Sequence, residues 1–345
     1  AAGPSRRVLK GDLVLGLGGE MSLTRSESFT VRPATLDDVL DIVDLRNACA
    51  VERTGKPATS AQASRGMMQM PGLNLETDTL LAHGQQGQLA GFALVQDNPP
   101  NPLIFALSEV HPRYWRTGIG ATLCHWIEER ARRSIPELET GARVALLQQR
   151  PSTDVAGREL LLAEGYRVAR HNFRMVVELE GPPPPPATPE GIAIRPFVRD
   201  QEGRALIRAL REAFRDNWGY VDRGLELEYE RWMQLLDRDP DCDPAPYWFV
   251  AVDGEEIAGF ALCHPEMSED PEMAWVYVVG VRPAWRRRGI ALALLLHSYG
   301  ALHQGGKRRV SLEVDAENRT GATRLYERAG MHVKRRQETF EKELR

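Results

Sequence analysis

The chain has 345 residues and a formal net charge of −4 at pH 7. This length suits two domains better than one, and the acidic balance argues against a protein that binds nucleic acid through a basic face. The four cysteines stand apart without a C-x-x-C pair, which argues against a zinc site or a disulfide scaffold and favours a reducing, cytoplasmic location. They are Cys49, Cys124, Cys242 and Cys263.

Residues 1–20 contain several glycines and no strong hydrophobic period. Their apolar stretch, residues 13–17, is too short to span a membrane or to act as a secretory signal. The rest of the chain has no run that is long enough either. We therefore expect residues 1–20 to be a disordered extension outside the fold, and we expect no membrane partner.

An internal repeat divides the remainder. Three short segments of the first half recur in the same order about 165 residues later. They are residues 30–33, 89–94 and 110–112, matched by 193–196, 257–262 and 281–283. A period of this length indicates duplicated domains, so the sequence predicts an N-terminal domain over residues 21–180 and a C-terminal domain over residues 192–345.

Between the halves, residues 181–191 include five consecutive prolines, Pro182–Pro186. Proline fixes φ and has no backbone donor, which favours an extended polyproline II spacer of about 3 Å per residue. We interpret this segment as a linker. A docking site for a proline-reading partner is the alternative.

In the second half an apolar strand, predicted over residues 273–281, leads into a basic turn that opens a helix, residues 286–291. The first N–H groups of a helix have no intrahelical partner, so together with the helix dipole they favour a phosphate. Gly289 and Ala291 are small enough for a pyrophosphate to approach the backbone. A basic helix start that lies in solvent is the alternative.

Downstream, the pattern predicts a helix over residues 290–302, a strand over 309–314 and a second helix that ends at Gly330. Asn318 is placed to cap the second helix, and Gly330 is placed to end it in the left-handed conformation. Tyr326 lies inside this helix.

These two motifs, the turn over residues 286–291 and the helix that carries Tyr326, resemble those of the GNAT acetyltransferase superfamily. The resemblance implies an α/β fold with two tandem acyl-CoA N-acyltransferase (GNAT-like) domains, each a mixed twisted sheet flanked by helices. It implies acetyl-CoA as the co-substrate and no metal. It also implies transfer of the acetyl group to a small primary amine by direct attack on the thioester in the C-terminal domain.

In this superfamily the pantetheine arm pairs like an extra strand with the strand before the basic turn. We call this turn, residues 286–291, the anion turn. The resemblance therefore assigns backbone contacts with the coenzyme to Val279 and Val281. The remaining coenzyme-binding residues that it implies in this half are Arg286, Arg287, Arg288, Gly289, Ile290, Ala291 and Asn318.

The resemblance makes Tyr326 the general acid that protonates the departing thiolate, a role that requires a phenol close to the sulfur and shielded from water. An ordinary core aromatic is the alternative. Within the superfamily, the two-domain layout is similar to that of the mycothiol synthases, which carry a strand carboxylate where this chain has Trp275.

Because tryptophan cannot accept a proton, the base has to come from elsewhere. We expect Glu272, Glu266 or His264 to act, through water, and this departure argues against a mycothiol precursor as the acceptor. A loop histidine such as His264 also has a purely structural interpretation.

The acceptor is expected at a helix break that contains Asp216, Asn217 and Trp218, which offer a carboxylate for a cationic amine and an aromatic platform. Trp218 closing the core is the alternative. Candidate acceptors are an amino sugar, an aminoglycoside-like compound, a polyamine or a thiol-precursor amine.

The first half departs from the motif, with Trp115 where an arginine or glutamine is expected and Leu161 at the position of Tyr326. Its remaining candidates for coenzyme binding are Arg116, Gly118 and Gly120. We therefore expect a non-catalytic N-terminal domain that either holds a coenzyme structurally or shapes the acceptor pocket.

Two other functions stay open from the sequence: a protein or peptide N-acetyltransferase, and a non-catalytic regulatory protein that binds acyl-CoA. We expect a monomer or homodimer with a small-molecule amine acceptor and no nucleic-acid partner.

Overall fold

A computed structural model of the chain describes residues 7–9, 29–70, 72–97, 102–138, 141–236, 245–266, 270, 272–318 and 320–345. The chain divides into two compact units: unit 1 is Ala1–Arg170 with Gln337–Arg345, and unit 2 is His171–Arg336. That residues 21–180 and 192–345 are the folding domains stays a prediction. Within the described part of the chain, no helix is long and apolar enough to cross a membrane.

Unit 1 is a mixed sheet with helices on both faces. Its strands are β1 Arg7–Leu9, β2 Phe29–Arg32, β3 Thr79–His83, β4 Leu89–Gln96, β5 Leu103–Val110 and β6 Ala145–Pro151. Its helices are α1 Val39–Thr54, α2 Ala61–Met68, α3 Leu75–Asp78, α4 Ile119–Arg132 and α5 Val155–Ala163. The strands follow chain order from β1 to β6, antiparallel up to β5 and parallel between β5 and β6.

The apolar spacing of the helices decides which face of unit 1 each one covers. Ile119, Leu123 and Ile127 recur every four residues along α4 and are buried against one face, together with Leu161 of α5. Helices α1 and α2 cover the opposite face, where Ile42 and its neighbours form a second core.

Unit 2 repeats this arrangement. Its strands are β8 Ile192–Pro196, β9 Trp248–Asp253, β10 Glu256–His264, β11 Met273–Val281 and β12 Arg309–Asp315. Its helices are α6 Arg199–Phe214, α7 Leu225–Leu236, α8 Ile290–Gln304 and α9 Ala322–Arg328. Strands β8 to β11 are antiparallel neighbours, and β11 and β12 are parallel. Helices α8 and α9 cover one face, and α6 and α7 cover the other.

Two strands pass from one unit into the other. β7 Arg167–Glu178 starts in unit 1, and its residues 172–178 pair antiparallel with β12 in unit 2. β13 His332–Glu343 starts in unit 2, and its residues 337–343 pair antiparallel with β6 in unit 1. Each copy of the repeat therefore supplies its last strand to the other unit.

The predicted extension and linker both contact the fold. Residues 7–9 form β1 and pair with β2; the rest of the extension lies outside the described residues. In the linker, Pro183, Pro186 and Pro189 are half-buried between exposed neighbours, which is the three-residue period of polyproline II. A Cβ placed on Gly289, at the start of α8, would lie 3.9 Å from Pro189 Cγ.

Candidate active site

The site begins where two parallel strands of unit 2 cease to pair. The ladder between β11 and β12 comprises three pairs and ends at Trp275 and Ser311. β11 then continues along β10 to Val281, which lies opposite Gly259. Over the second half of β11, the edge that faces β12 is therefore unpaired with β12, and a different partner can pair with it.

Backbone directions along that edge follow from one hydrogen bond. The N–H of Arg282 donates to the carbonyl of Ala258, on the β10 side, at 2.9 Å. N–H groups of successive strand residues point alternately to the two sides, so those of Val281 and Val279 point away from β10. Farther down, the register shifts between Leu262 and Cys263, a bulge of the kind that locally redirects a strand.

The anion turn has the backbone that its glycine predicts. Gly289 is the N-cap of α8 with φ +87°, and Arg287 also lies in the left-handed region with φ +62°. The first intrahelical bond runs from the N–H of Ala293 to the carbonyl of Gly289. The N–H groups of Ile290 and Ala291 precede that bond and point out of the helix start, an arrangement that suits an anion.

The three arginines of the turn differ in what they contact. Arg286 points inward and donates to the carbonyls of Val281 at 3.2 Å and Ala213 at 2.9 Å. Arg287 is exposed. Arg288 is also exposed, and its guanidinium reaches the backbone carbonyl of Glu190 at 3.3 Å. Arg286 thus braces the turn, while the other two stand at its surface.

Tyr326 lies on α9 and is 8% exposed. It packs in one apolar cluster with Val276 and Val279 of β11 and Val314 of β12, the strands that bound the opening. Burial raises the pKa of Tyr326 to about 12. A phenol in this position keeps its proton at neutral pH and is shielded from water.

The predicted helix cap at Asn318 is wrong. The N-cap of α9 is Gly321, with φ +76°. The side-chain oxygen of Asn318 accepts instead from the N–H of Thr320 at 2.8 Å, a local turn that competes with capping. The prediction for Gly330 is confirmed, since it follows the helix with φ +89°.

Of the three predicted bases, Glu272 and Glu266 lie just before β11 and just after β10, whereas His264 is the register partner of Trp275, where β11 and β12 part. Glu272 precedes the strand and pairs with Arg309 at 3.2 Å, and nine strand residues separate it from the anion turn, roughly 30 Å. Glu266 pairs with Lys307 at 3.5 Å. His264 ends β10, with its Nδ1 atom 2.7 Å from the carbonyl oxygen of Glu266 and its ring edge-to-face with Tyr277 at 6.0 Å.

Sequence reasoning missed a carboxylate on β12. Leu312 and Val314 are buried under α8 and α9, so Glu313 between them faces the opposite side of the sheet. Trp275 shares that side, because its neighbours Ala274 and Val276 are also in the buried cluster. Strand alternation in the sequence would have placed Glu313 on this face, but only the parallel register, in which Trp275 pairs with Ser311, places Glu313 two residues beyond that pair.

Arg174 of β7 adds a cation to the side of the sheet that carries Trp275 and Glu313. Arg174 is the register partner of Glu313, and their charged atoms lie 3.5 Å apart. The Arg174 guanidinium also lies over the ring of Trp275, 4.8 Å from its centroid. Both charged side chains are partly exposed, 18% for Arg174 and 30% for Glu313.

The predicted acceptor-binding residues lie in a turn directly after α6. The N–H of Asn217 donates to Phe214 at 2.9 Å, and Asp216 is exposed. Trp218 is 41% exposed, so it does not close the core. Because α6 covers the face that carries Trp275 and Glu313, this turn belongs to the same side of the sheet.

Unit 1 keeps the backbone of the anion turn. Arg116 has φ +64°, and Gly118 is the N-cap of α4 with φ +93°. A Cβ on Gly120 would lie 2.7 Å from Leu160 Cδ2, so a larger residue there would require the Leu160 side chain to move. Trp115 donates from its indole to the carbonyl of Val110 at 2.9 Å.

The matching strand opening in unit 1 is filled by polar side chains. Ladder pairs between β5 and β6 end at Ala106 and Gln148. Beyond them, Arg150 of β6 donates to Ser108 of β5 at 2.6 Å, and Ser108 donates to Gln148 at 2.9 Å. These contacts bridge the two strands where the corresponding residues of unit 2, Val279 and Val314, are apolar.

Buried charges extend this bridge to α1 and α5. Arg53 of α1 pairs with Glu109 of β5 and lies 3.4 Å from Asp154, which caps α5. Burial disfavours the ionised form of Glu109, but the charges of Arg53 and Arg150 outweigh it and lower the pKa of Glu109. Leu161, at the position of Tyr326, is fully buried.

In the described part of the chain, no group of three or more histidine, cysteine or acidic side chains is placed to hold a metal ion. Three of the cysteines are buried free thiols, at positions 49, 124 and 263. Cys242 lies outside the described residues.

A model of the acetyltransferase (GNAT) family matches residues 42–148 and 207–331. The mycothiol acetyltransferase of Streptomyces scabiei is 31% identical over 304 residues, which cover 86% of this chain and 88% of that protein. The mycothiol acetyltransferase of Geodermatophilus obscurus is 30% identical over 303 residues, covering 84% of this chain and 92% of that protein.

Two solved structures are similar to this chain. A GCN5-related N-acetyltransferase from Sphaerobacter thermophilus has a TM-score of 0.78 and 34% identity, and the match covers 92% of this chain and 96% of that chain. A tandem GNAT protein from the clavulanic acid biosynthesis pathway has a TM-score of 0.68 and 18% identity over 91% of this chain and 98% of that chain, a likeness of fold. The chain therefore belongs to the GNAT acetyltransferase family, with one family match in each of its two halves.

Proposed function

We propose that the chain is an acetyl-CoA-dependent N-acetyltransferase that acts on a small primary amine, with its reaction site in unit 2. The observation that carries the proposal is the continuous path along β11. Backbone N–H groups of Val279 and Val281 line its open edge, the anion turn follows directly, and Tyr326 is buried beneath the opening.

Each part of the coenzyme has residues that suit it. The outward N–H groups of Ile290 and Ala291 and the exposed Arg287 and Arg288 suit a pyrophosphate. The strand edge suits the amide groups of a pantetheine arm, which can pair with it as another strand would. When bound, acetyl-CoA supplies an activated acetyl group to the opening.

Proton transfer is assigned to two side chains on opposite faces of the sheet. Attack by the amine forms a C–N bond and breaks the C–S bond, so the amine loses one proton and the thiolate gains one. Glu313 faces the acceptor side and is the candidate to take the amine's proton, directly or through water. Tyr326 is the candidate to protonate the thiolate. Glu272, Glu266 and His264 stay alternative bases.

The acceptor is proposed to enter on the face of α6, where Asp216 is available for a cationic amine. The relatives are named mycothiol acetyltransferases, which favours a thiol-precursor amine as the first compound to test. The aromatic Trp275 beside Glu313 distinguishes this site from one with a carboxylate on β11, so amino sugars and polyamines belong in the same panel.

The test is a panel of amines incubated with acetyl-CoA and the full chain, read by thiol release and by mass spectrometry of the product. We expect one class of small amine to gain an acetyl group, and Glu313→Gln to slow that reaction about 100-fold or more. Acetylation of peptides alone would favour a protein N-acetyltransferase instead. Tight acetyl-CoA binding without transfer to any amine or peptide would contradict the proposal and favour a regulatory protein.

A further inference from the structure

The reaction site of unit 2 contains one element from the first copy of the repeat. β7 follows α5 in the first copy as β13 follows α9 in the second. Residues 172–178 of β7 nevertheless pair with β12 of unit 2, from Asn172 opposite Asp315 to Glu178 opposite Arg309. This pairing brings Arg174 opposite Glu313.

We propose that Arg174 is a positioning residue for acetyl transfer, holding the Glu313 carboxylate at the opening between β11 and β12. This inference rests on the proposed function, because it assigns a role relative to the candidate base. Glu313 needs a fixed direction to take a proton from an incoming amine. The Arg174 guanidinium, 3.5 Å from the carboxylate, supplies a charged partner on the neighbouring strand.

Trp275 gives Arg174 a second contact that fixes its own position. Its guanidinium lies 4.8 Å from the centre of the indole ring, within the range of a cation–π interaction. Because Trp275 is the last residue of β11 that pairs with β12, the stacked cation lies where the two strands part. A carboxylate at position 275 would instead attract Arg174 and compete with Glu313 for it.

The partial exposure of both side chains fits this role. At 18% and 30% exposure, the pair can be reached by an acceptor while most of each side chain is covered by protein. Because the pair is mostly buried, thermal unfolding of each variant is measured beside turnover, so that a loss of folding is not taken for a loss of catalysis. Arg336 provides a matched control, since its guanidinium also stacks on a ring of unit 2, that of Phe173, at 5.2 Å.

The experiment is a double-mutant cycle in the full chain with Arg174→Gln, Glu313→Gln and both together. The amine found in the panel is the acceptor, kcat is the readout, and the dissociation constant for acetyl-CoA is measured by calorimetry. We expect Arg174→Gln to lower kcat about tenfold or more and to leave the dissociation constant for acetyl-CoA within about twofold. When Glu313 is already Gln, Arg174→Gln should have no further effect on kcat. Arg174→Lys should recover part of the loss, and Arg336→Gln should turn over as the wild type does.

Three results would overturn the inference: wild-type kcat in Arg174→Gln, losses that multiply in the double variant, or an equal loss in Arg336→Gln. If Arg174→Gln is unstable, Arg174→Met, which keeps the packing on Trp275, takes its place in the cycle. Wild-type protein that acetylates no amine would refute the proposed function itself, whereas an active wild type with an unaffected Arg174→Gln variant would refute the positioning role alone.

Discussion

Trp115 and Arg286 occupy corresponding places at the start of the two anion turns, and each donates to the carbonyl five residues before it. Trp115 Nε1 donates to Val110 at 2.9 Å, and Arg286 Nε donates to Val281 at 3.2 Å. In the sequence, Trp115 looks like the loss of a phosphate-binding arginine. The structure shows instead that either side chain can hold the end of the strand against the turn. We therefore propose that direct contact with phosphate falls to Arg287, Arg288 and the backbone.

We predict that Arg287→Glu with Arg288→Glu weakens acetyl-CoA binding at least about 100-fold, because each charge-assisted contact is worth about 1.5–3 kcal/mol. Both side chains are exposed, so the melting temperature should change little. Calorimetry and thermal unfolding of the full chain check this. Arg286→Ala is the contrasting variant, expected to lower the melting temperature because it leaves two carbonyls without their donor. Unchanged affinity in the double variant would remove the turn from the coenzyme site.

Tyr326→Phe should lower kcat about 10- to 1000-fold and leave the dissociation constant for acetyl-CoA within about twofold, since only a hydroxyl is lost from a packed ring. Steady-state thiol release is the measurement. Tyr299→Phe is a suitable control, because Tyr299 is buried in the same cluster and has no assigned role. Full turnover in Tyr326→Phe would make that tyrosine a packing residue.

The pH dependence of Tyr326 follows from its burial. With a pKa raised to about 12, the phenol stays protonated as pH rises to about 11, so its ionisation should not reduce kcat between about pH 8 and 10. The folded state holds this proton more tightly than the unfolded state, so the stabilisation is present below the usual tyrosine pKa and is lost as pH rises through about 12. A fall in kcat near pH 9 that is absent in Tyr326→Phe would contradict this.

The buried charges of Arg53 and Glu109 in unit 1 give a prediction about stability. Arg53→Met should destabilise the folded chain by about 3–5 kcal/mol, because it removes the directly paired cation from the buried carboxylate of Glu109. Urea unfolding measures this, and acetyl transfer by the folded fraction should persist. Arg133→Met is the control: Arg133 pairs with Glu129 on the surface, with side chains 61% and 71% exposed, and its loss should cost less than about 1 kcal/mol. A cost below 1 kcal/mol for Arg53→Met would mean that the bridge adds little.

Local features of the site could be predicted from the sequence, and features that depend on strand pairing could not. The strand over residues 273–281 matches β11 residue for residue, and Gly289 and Gly330 have the positive φ that their positions require, because glycine and apolar runs act locally. Asn318 was misjudged because two local hydrogen-bonding patterns compete for the same side chain.

The contacts of Arg286 and Arg174 depend on residues far away in the chain. Arg286 binds a carbonyl 73 residues before it, and Arg174 meets Glu313 only because β7 pairs with the second copy's strand. A repeat in the sequence shows that two similar units exist, but it does not show which unit receives each copy's last strand.

The exchange of strands predicts which fragment of the chain can fold. Residues 192–345 lack Met175 and Val177 of β7 and Leu179 directly after it, all three of which are buried in the core of unit 2. Burial of side chains of this size is worth about 1.5–3 kcal/mol each. The three together are therefore comparable to the whole stability of an ordinary domain, about 5–15 kcal/mol.

We therefore expect a fragment of residues 171–336 to unfold cooperatively and a fragment of residues 192–345 to lack a cooperative transition, measured by circular dichroism during heating. Adding residues 171–191 back to the shorter fragment as a synthetic peptide should restore part of the transition. A stable fragment 192–345 that acetylates the acceptor at the full rate would show that β7 is dispensable for both folding and turnover.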